Sequence, residues 1–313
     1  MIGARPGTSD APWQFAEQWG ARGYVTELSG LVHWVEFGAK AEGPPIVFVH
    51  GLGGSHLNWC LVGPHLAAGW RAVALDLRGF GLTPGTRGTA TVAANVALLD
   101  RFVREVTGTP VVLVGNSLGG LVCLLQAARA PETVTGLVLV NPALPPSWQA
   151  SDVQVASMFM LYALPGLGEL SLRAMQSRRP PELAVADLIN LCFADPSRAD
   201  PDMTAAATAL AYQRLAVPRR DESFLAASRS LLRMLGSRQR YWANASAVQA
   251  PVLLIGGDAD RLVPVASIHQ AGARYPDWET VVLPGVGHTP QLEVPAVVVD
   301  TLRDWLARRG ERN

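Results

Sequence analysis

Hydrophobic residues along the chain fall into short segments, and most of these segments are unbroken rather than alternating. Segments 24–28 and 31–37 alternate in part and are joined by Ser29 and Gly30, a pattern that predicts a β-hairpin. Six later segments are continuous runs rich in Val, Leu and Ile, which is typical of parallel strands buried on both faces. These six segments are 46–49, 70–75, 110–114, 137–140, 251–255 and 280–283.

Helix-like segments separate most of the continuous runs, and one follows the last run. They span residues 57–68, 91–106, 118–130, 265–274 and 294–309. Strands that alternate with helices in this way form parallel sheets with right-handed crossovers. The pattern therefore predicts an α/β fold, with a doubly wound, mostly parallel sheet and helices on both of its faces.

The alternation stops between residues 143 and 248, where no strand-like run occurs. This stretch is rich in Ala, Leu, Arg and Met, and it is interrupted at Pro180-Pro181 and at Pro218. We expect four or five helices here, inserted after the sixth strand. The predicted organisation is a core domain formed by 1–142 and 249–313, with 143–248 as a helical subdomain.

Charge and cysteine content narrow the class of ligand. The chain has 26 basic and 26 acidic residues, so no net field attracts nucleic acid or an anionic membrane surface. The three cysteines are odd in number and widely spaced, which argues against a disulfide framework or a zinc site and favours a reducing, cytoplasmic compartment. No apolar run reaches the roughly 18 residues of a membrane span, and the first residues do not resemble a signal peptide. A small neutral or apolar ligand is therefore expected.

A serine lies at a predicted strand-to-helix junction. The segment 115–119 reads Gly-Asn-Ser-Leu-Gly and matches G-x-S-x-G, the pattern of a nucleophile elbow. The central residue of such a turn is strained, so the positions two before and two after it must be small. Gly115 and Gly119 meet this requirement, and Ser117 is the candidate nucleophile. The pentapeptide also arises by chance, but chance gives no reason for it to fall between a buried strand and a helix.

A serine hydroxyl attacks a carbonyl group only when a positioned base removes its proton. Among the six histidines, His288 is the candidate base, because it lies in a glycine-containing loop between the last strand and the last helix. In an open α/β sheet that loop lies at the carboxyl edge, where the elbow also lies. The alternative is a surface-loop histidine with no chemical role.

Two carboxylates follow the 251–255 run. Asp258 and Asp260 share one loop, and either could fix the tautomer of His288 and balance its developing positive charge. The other carboxylate would then cap a turn, a common task of loop Asp residues.

A glycine-rich turn, 50–54, ends the 46–49 run. Its Leu52 N–H and the N–H of Leu118, at the start of the helix after the elbow, could form an oxyanion hole. A phosphate loop is the alternative, but this turn lacks the lysine and the spacing of such loops. No cofactor is therefore expected, and His50 suits a bracing role better than a chemical one.

Together these motifs resemble the α/β-hydrolase superfamily, in particular its capped serine esterases, lipases and meta-cleavage-product hydrolases. The resemblance implies an eight-stranded sheet, a cap formed by 143–248, and the chain order nucleophile, acid, base. It also implies Asp260 as the acid, because the family places this residue three positions before a Val-Pro pair. The motifs that carry the resemblance are 50–54, 76–81, 115–120, 257–264 and 285–293.

In this family the cap sets substrate choice. Trp148, Met158, Phe159 and Tyr162 could line an apolar pocket for an acyl or aromatic group. They could equally form the small hydrophobic core of the cap itself.

The resemblance implies hydrolysis of a carboxylic ester of an apolar or aromatic small molecule, through an acyl-enzyme and without a metal. Ser117 disfavours epoxide hydrolysis and dehalogenation, because those relatives use Asp at the elbow and an alkylated serine would be an unreactive ether. Two alternatives stay open. One is carbon–carbon bond hydrolysis of the meta-cleavage type, where Gly-Asn-Ser-x-Gly-Gly is common although the 51–54 loop does not match. The other is a ligand-binding receptor that retains the fold.

Overall fold

A nine-stranded sheet forms the centre of the molecule. The computed structural model describes residues 8–10, 15–38, 44–85, 88–146, 152–176, 179–217 and 219–310. The strand order is β1-β2-β3-β5-β4-β6-β7-β8-β9; β1, β2, β3 and β5 pair antiparallel, and the remaining pairs are parallel. The strands are β1 (Thr8–Asp10), β2 (Ala21–Glu27), β3 (Leu31–Phe37), β4 (Ile46–Val49), β5 (Ala72–Leu75), β6 (Val111–Asn116), β7 (Val134–Val140), β8 (Val252–Gly257) and β9 (Glu279–Leu283).

All eight predicted strands are present, and the mostly parallel α/β architecture is confirmed. The additional strand, β1, pairs with β2 at the edge of the sheet. Every residue of β4, β5, β6 and β8 is buried, as continuous apolar runs predict for strands covered on both faces.

Helices cover both faces of the sheet. They are α1 (Gly63–Leu66), α2 (Val92–Arg101), α3 (Leu118–Arg129), α4 (Val153–Ala163), α5 (Leu167–Gln176), α6 (Pro181–Cys192), α7 (Pro201–Leu215), α8 (Arg220–Gly236), α9 (Arg238–Ser246), α10 (Val265–Arg274), α11 (Pro290–Glu293) and α12 (Pro295–Gly310). The single helix expected over 57–68 was wrong. The chain instead forms a 3₁₀ turn, His56–Trp59, followed by α1. Pro64 explains the break, because it has no N–H to continue a helix that began upstream.

The insertion between β7 and β8 is helical, as predicted, but it holds more helices than expected. Six α-helices, α4 to α9, lie in its described residues, against the four or five anticipated. Tyr241 and Trp242 of α9 and Leu231 of α8 belong to the same hydrophobic cluster as α3. The last part of the insertion therefore packs on the sheet domain, while the boundaries at 143 and 248 stay predictions.

None of the described helices is, by itself, both long and apolar enough to cross a membrane. Val153–Ala163 and Leu167–Ala174 reach that length and hydropathy only as a pair, and the pair is bent by 117°.

Candidate active site

Ser117 connects β6 to α3 in a strained turn. Its backbone has φ 55° and ψ −119°, a conformation that residues other than glycine rarely adopt. Such strain costs on the order of 1–3 kcal/mol and persists only where the surroundings enforce it. Here the Ser117 N–H donates to Val140 O (3.1 Å), and its carbonyl accepts from Ala143 N (3.0 Å) and Leu121 N (3.2 Å). Ser117 is partly exposed between buried neighbours, so the turn leaves its hydroxyl accessible.

Two glycines make this turn possible. A Cβ at Gly115 would lie 2.5 Å from Gly119 O, and a Cβ at Gly119 would lie 2.3 Å from Val49 O. Both obstacles are backbone atoms, which cannot rotate away as a side chain could. The prediction that these positions must be small is confirmed.

His288 and Asp260 meet at the carboxyl edge of the sheet. Nδ1 of His288 donates to Oδ2 of Asp260 at 2.7 Å, and both residues are buried. The other oxygen, Oδ1, accepts from Leu262 N (2.7 Å) and Val263 N (3.0 Å), which fixes the carboxylate. A proton on Nδ1 leaves Nε2 with a free lone pair, the arrangement that a general base requires.

Asp258, the other candidate acid, holds a turn instead. Its Oδ1 accepts from the N–H of Gly285 at 2.7 Å, so it braces the loop that leads to His288. The geometry therefore favours Asp260 as the partner of the base and gives Asp258 the turn-capping task anticipated for one of the pair.

Asn116 joins the base loop to the elbow. Its Nδ2 donates to the backbone oxygens of Val140 (3.0 Å) and His288 (3.1 Å). The N–H of His288 donates to Cys192 O at 2.6 Å, so the base is held from the opposite direction by the end of α6. Sequence reasoning did not assign a role to the Asn116 side chain. The only signal was a polar residue at the end of a buried run.

Asn141 links the acid-bearing and base-bearing segments. Its Oδ1 accepts from Gly257 N at 2.8 Å, and its Nδ2 donates to Gly287 O at 2.8 Å. Asn141 has a positive φ of 39°, which Asn tolerates better than most residues. The Asn141 side-chain amide therefore holds these two loops together.

Glu293 anchors the base loop to the insertion. Its buried carboxylate accepts from Gly287 N at 2.7 Å and from Ala194 N at 3.1 Å. Arg198 donates to the same carboxylate from its Nη1 at 3.1 Å. This residue lies at the end of the 285–293 motif, but the sequence alone did not identify its partners.

The Ser117 hydroxyl forms no hydrogen bond with any of the residues that the structure describes. Catalytic hydrogen bonds are often long or misaligned before substrate binds. The lack of a hydrogen bond at the Ser117 hydroxyl is therefore compatible with His288 acting as its base. The approach of His288 Nε2 to the serine therefore stays a prediction. A Cβ at Gly51 would lie only 3.1 Å from Ser117 Cβ, so the glycine-rich turn reaches the nucleophile.

His50 orients the peptide that links Gly51 to Leu52. His50 Nε2 accepts from Leu77 N at 3.0 Å, so its proton is on Nδ1, which donates to Gly51 O at 2.7 Å. Gly54 N donates to the same carbonyl at 3.1 Å. In a trans peptide the C=O and N–H point in opposite directions, so these bonds direct the Leu52 N–H to the other side. Burial lowers the pKa of His50 to about 4, so the imidazole is neutral near pH 7. The hydrogen bonds of His50 agree with the bracing role expected for it.

Two backbone donors are available beside the serine. Within the described parts of the chain, neither the Leu52 N–H nor the Leu118 N–H donates to another residue. Leu118 opens α3, where the first N–H groups have no acceptor within the helix and the dipole favours negative charge. Both groups can therefore bind a developing oxyanion.

A buried carboxylate braces the segment after β5. Asp76 accepts from Nδ1 of His33 (2.8 Å) and of His56 (3.0 Å), and from the N–H groups of His56 (2.6 Å) and Leu82 (2.8 Å). Burial by itself would raise the pKa of Asp76, but the two histidines outweigh it and hold that pKa well below its usual range. The ligand atoms of the three side chains lie within 4.8 Å of one another, as a metal site requires. Because they already hydrogen-bond to one another, the cluster fits a structural role.

The predicted pocket residues of the cap pack against one another. Tyr162 is buried, and Met158 and Phe159 lie against it in a small cluster within the insertion. Phe224 of α8 contacts Tyr162 edge-on at 5.4 Å, and its ring would lie 3.6 Å from a Cβ at Gly53. This cluster therefore reaches the glycine-rich turn, and its role as a substrate lining stays a prediction.

One predicted pocket residue, Trp148, lies outside the described residues. Phe224 was not singled out from the sequence, since it occurs within a polar helix.

Comparison with known proteins gives one family. Residues 46–301 match the model of the alpha/beta hydrolase family. The dihydrolipoyllysine-residue acetyltransferase component of the acetoin cleaving system of Pseudomonas putida is 30% identical in an alignment of 293 residues, which covers 90% of this chain and 68% of that protein.

Two solved structures are similar at lower sequence identity. A thermophilic esterase from Thermogutta terrifontis aligns with a TM-score of 0.68 and 23% identity, over 91% of this chain and 96% of its own. The haloalkane dehalogenase DbeA from Bradyrhizobium elkani aligns with a TM-score of 0.76 and 20% identity, over 94% and 100%. At these identities the similarity shows a shared fold, and the chemistry must be inferred from the residues of the site.

Proposed function

The chain belongs to the alpha/beta hydrolase family, and we propose that within it this protein is a serine hydrolase of carboxylic esters. The proposed substrate is an ester of an apolar or aromatic small molecule. The observation that carries the proposal is the 2.7 Å contact between His288 Nδ1 and Asp260 Oδ2, in which the His288 loop is hydrogen-bonded to Asn116, the residue before Ser117.

In the first half of the proposed reaction, Ser117 Oγ attacks the ester carbonyl carbon while His288 Nε2 takes its proton. The carbonyl oxygen becomes an oxyanion and accepts hydrogen bonds from the Leu52 and Leu118 N–H groups. Collapse of this intermediate breaks the bond to the leaving alcohol, which receives the proton from His288. An acyl-enzyme on Ser117 remains.

In the second half, His288 takes a proton from water, and the resulting hydroxide attacks the acyl carbon. Collapse releases the carboxylic acid, and the proton returns to Ser117. Asp260 stays ionised throughout and stabilises the imidazolium that forms twice per turnover. The segment 143–248 is proposed to act as the cap, with Met158, Phe159 and Tyr162 facing the acyl group.

The serine separates this chemistry from that of other proteins on the same fold. The dehalogenase structure is similar in fold, but displacement of a halide by Ser117 would form an alkyl ether that water does not cleave. Acyl transfer to Ser117 forms an ester, which the same base can hydrolyse. An acyl-transfer substrate is therefore the class that this nucleophile supports.

The test is turnover of p-nitrophenyl esters of graded acyl length, with a fluorophosphonate as an active-site label. We expect multiple turnovers by the wild type, one label per chain located on Ser117, and loss of both in Ser117→Ala. Labelling without turnover would favour a binding protein, and absence of labelling would contradict the proposal.

Carbon–carbon bond hydrolysis is the second candidate, favoured by the Gly-Asn-Ser-Leu-Gly-Gly sequence at 115–120. It uses the same serine and base but requires a vinylogous diketone acid as substrate. Turnover restricted to such diketones, with no ester in the panel cleaved, would replace the ester proposal with this one.

A further inference from the structure

A cavity of about 490 Å³ lies where α2, α3, α8 and α9 meet. It is open to solvent, and none of the proposed catalytic residues lines it. Three arginines form part of its wall: Arg129 from α3, Arg233 from α8 and Arg240 from α9. Apolar side chains, among them Leu125 and Met234, form another part.

Among the described residues none of the three guanidinium groups has a carboxylate partner, although Arg233 Nε donates to the backbone oxygen of Arg229 at 3.2 Å. No Asp or Glu lines the cavity, and no carboxylate in the described residues lies within 4 Å of any of the three. Arg229, one turn before Arg233 on α8, differs in this respect, because it pairs with Glu169 at 2.9 Å. All three arginines are exposed side chains at the wall of this open cavity. Like charges placed around one cavity repel each other, and an anion bound between them would reduce that repulsion.

Hydroxyl groups and the start of α2 line the same cavity. Ser230 accepts from Val92 N at 2.9 Å, and Ser237 adds a second hydroxyl. Thr91 caps α2 by accepting from Ala94 N at 3.2 Å. Ser230 itself donates to Ala227 O at 2.9 Å, so the hydroxyl groups left to donate to a ligand are those of Thr91 and Ser237, near the positive end of the ten-residue helix α2.

We propose that this cavity is a binding site for a phosphate-bearing small molecule with an apolar portion. Guanidinium groups bind phosphate oxygens in pairs, which suits a dianion better than a single carboxylate. The apolar wall formed by Leu125, Val92 and Met234 takes the hydrocarbon part. A ligand here joins α3 of the sheet domain to α8 and α9 of the insertion, at a place separate from Ser117.

Calorimetric titration of the full-length protein tests the proposal, with phenyl phosphate, inorganic phosphate and benzyl alcohol as probes at constant ionic strength. We expect saturable binding of one phenyl phosphate per chain, with an affinity about tenfold above that of inorganic phosphate because the ring leaves water. Benzyl alcohol, which has the ring without the charge, should bind at least about tenfold more weakly than phenyl phosphate. Equal binding of all three probes, or no saturable binding, would overturn the site.

Variants locate the binding. Arg129→Gln and Arg233→Gln should each weaken phenyl phosphate binding about tenfold, because each removes charge-assisted hydrogen bonds. Arg308→Gln, an exposed arginine on α12 outside the cavity, is the matched control and should bind as the wild type does. Thermal denaturation of each variant confirms that it is folded.

A last binding measurement tests whether this site is distinct from the proposed catalytic centre. Ser117→Ala and the fluorophosphonate-labelled protein should bind phenyl phosphate as tightly as the unmodified wild type. Loss of binding in either would place the ligand at the serine and contradict the separate site. Esterase activity, present or absent, does not enter this comparison.

Discussion

Asn116 donates a hydrogen bond from its side-chain amide to the backbone oxygen of His288, at 3.1 Å, across 172 positions of sequence. The residue that precedes the proposed nucleophile therefore fixes the loop of the proposed base. A second bond from the same amide reaches Val140 O at 3.0 Å, so the attachment has a defined direction.

Asn116→Ala should lower kcat about 10–100-fold with little change in KM, because it frees the His288 loop but leaves the substrate-binding surfaces intact. It should also lower the free energy of unfolding by about 2 kcal/mol, since the buried carbonyl of His288 loses this donor and that of Val140 retains only the Ser117 N–H. Asn244→Ala is the control, because among the described residues the only hydrogen bond of its side chain is an exposed one to Arg240 O, one turn earlier on α9. Steady-state kinetics and urea unfolding measure both effects, and a kcat equal to that of the control would contradict the positioning role.

Asp260→Asn should reduce kcat on the order of 10³–10⁴-fold, because the amide no longer stabilises the His288 imidazolium. Asp258→Asn is the matched comparison in the same loop. It weakens one hydrogen bond to Gly285 and should cost less than about tenfold. Ester turnover at saturating substrate distinguishes the two, and equal losses would remove the assignment of Asp260 as the acid.

Ser117→Gly should be more stable than Ser117→Ala by about 1 kcal/mol, although both should be inactive. Glycine adopts the φ of 55° without strain, whereas alanine keeps the Cβ that makes this conformation unfavourable. Urea denaturation of the two variants gives the difference directly. Identical stabilities would show that the turn stores no strain at this residue.

Gly119→Ala should destabilise the protein by about 3 kcal/mol or more, because its Cβ would lie 2.3 Å from Val49 O and 2.4 Å from His50 O. Either the backbone of the glycine-rich turn or the start of α3 must move. Gly69→Ala has nothing within 4 Å of the added Cβ and should change stability by less than about 0.5 kcal/mol. Thermal denaturation of this pair tests the steric explanation, which fails if both variants melt alike.

Stability should fall as the pH drops from about 6.5 toward 4, in part because of His50. Its pKa is lowered to about 4 by burial in the folded protein, against 6.5 for the free side chain. Between these values the unfolded state binds the additional proton, so acid favours unfolding, by about 3 kcal/mol when the window has been crossed. His33, whose pKa is also lowered by burial, contributes in the same direction.

His50→Gln should flatten this pH dependence, whereas His269→Gln, at an exposed position, should leave it unchanged. The measurement is the urea midpoint at a series of pH values for wild type and both variants. A wild-type slope retained in His50→Gln would assign the acid sensitivity to other groups.

The sequence predicted the parts of the fold that produce a local signal. Continuous apolar runs located β4 and the other buried strands, and the glycines of the elbow located Ser117. β1 consists of Thr8, Ser9 and Asp10, which have no apolar residue among them, so only its pairing with β2 defines it. The insertion also holds more helices than predicted. Asp195-Pro196 and Asp200-Pro201 each place a capping Asp before a proline, which is a local helix-start signal, whereas the apolar pattern alone does not divide this stretch.

In the proposed site, too, the sequence identified the residues that lie in a local motif and missed those that do not. Motif residues such as Asp260 and His288 could be named from their loops, although the choice between Asp258 and Asp260 needed the family pattern. Asn141 and Glu293 could not be named, because their hydrogen bonds connect segments far apart in sequence. A one-dimensional pattern does not record which backbone group a buried amide or carboxylate will meet.

The bonds from His288 N to Cys192 O and from Ala194 N to Glu293 make the insertion a structural partner of the proposed base. Replacement of the proposed cap by that of another protein would remove those contacts. A chimera with a different cap would therefore have to retain the 192–195 segment, because the His288 imidazole would otherwise lose the contacts that position it. The proposed cap and the proposed base are therefore mechanically coupled in this molecule.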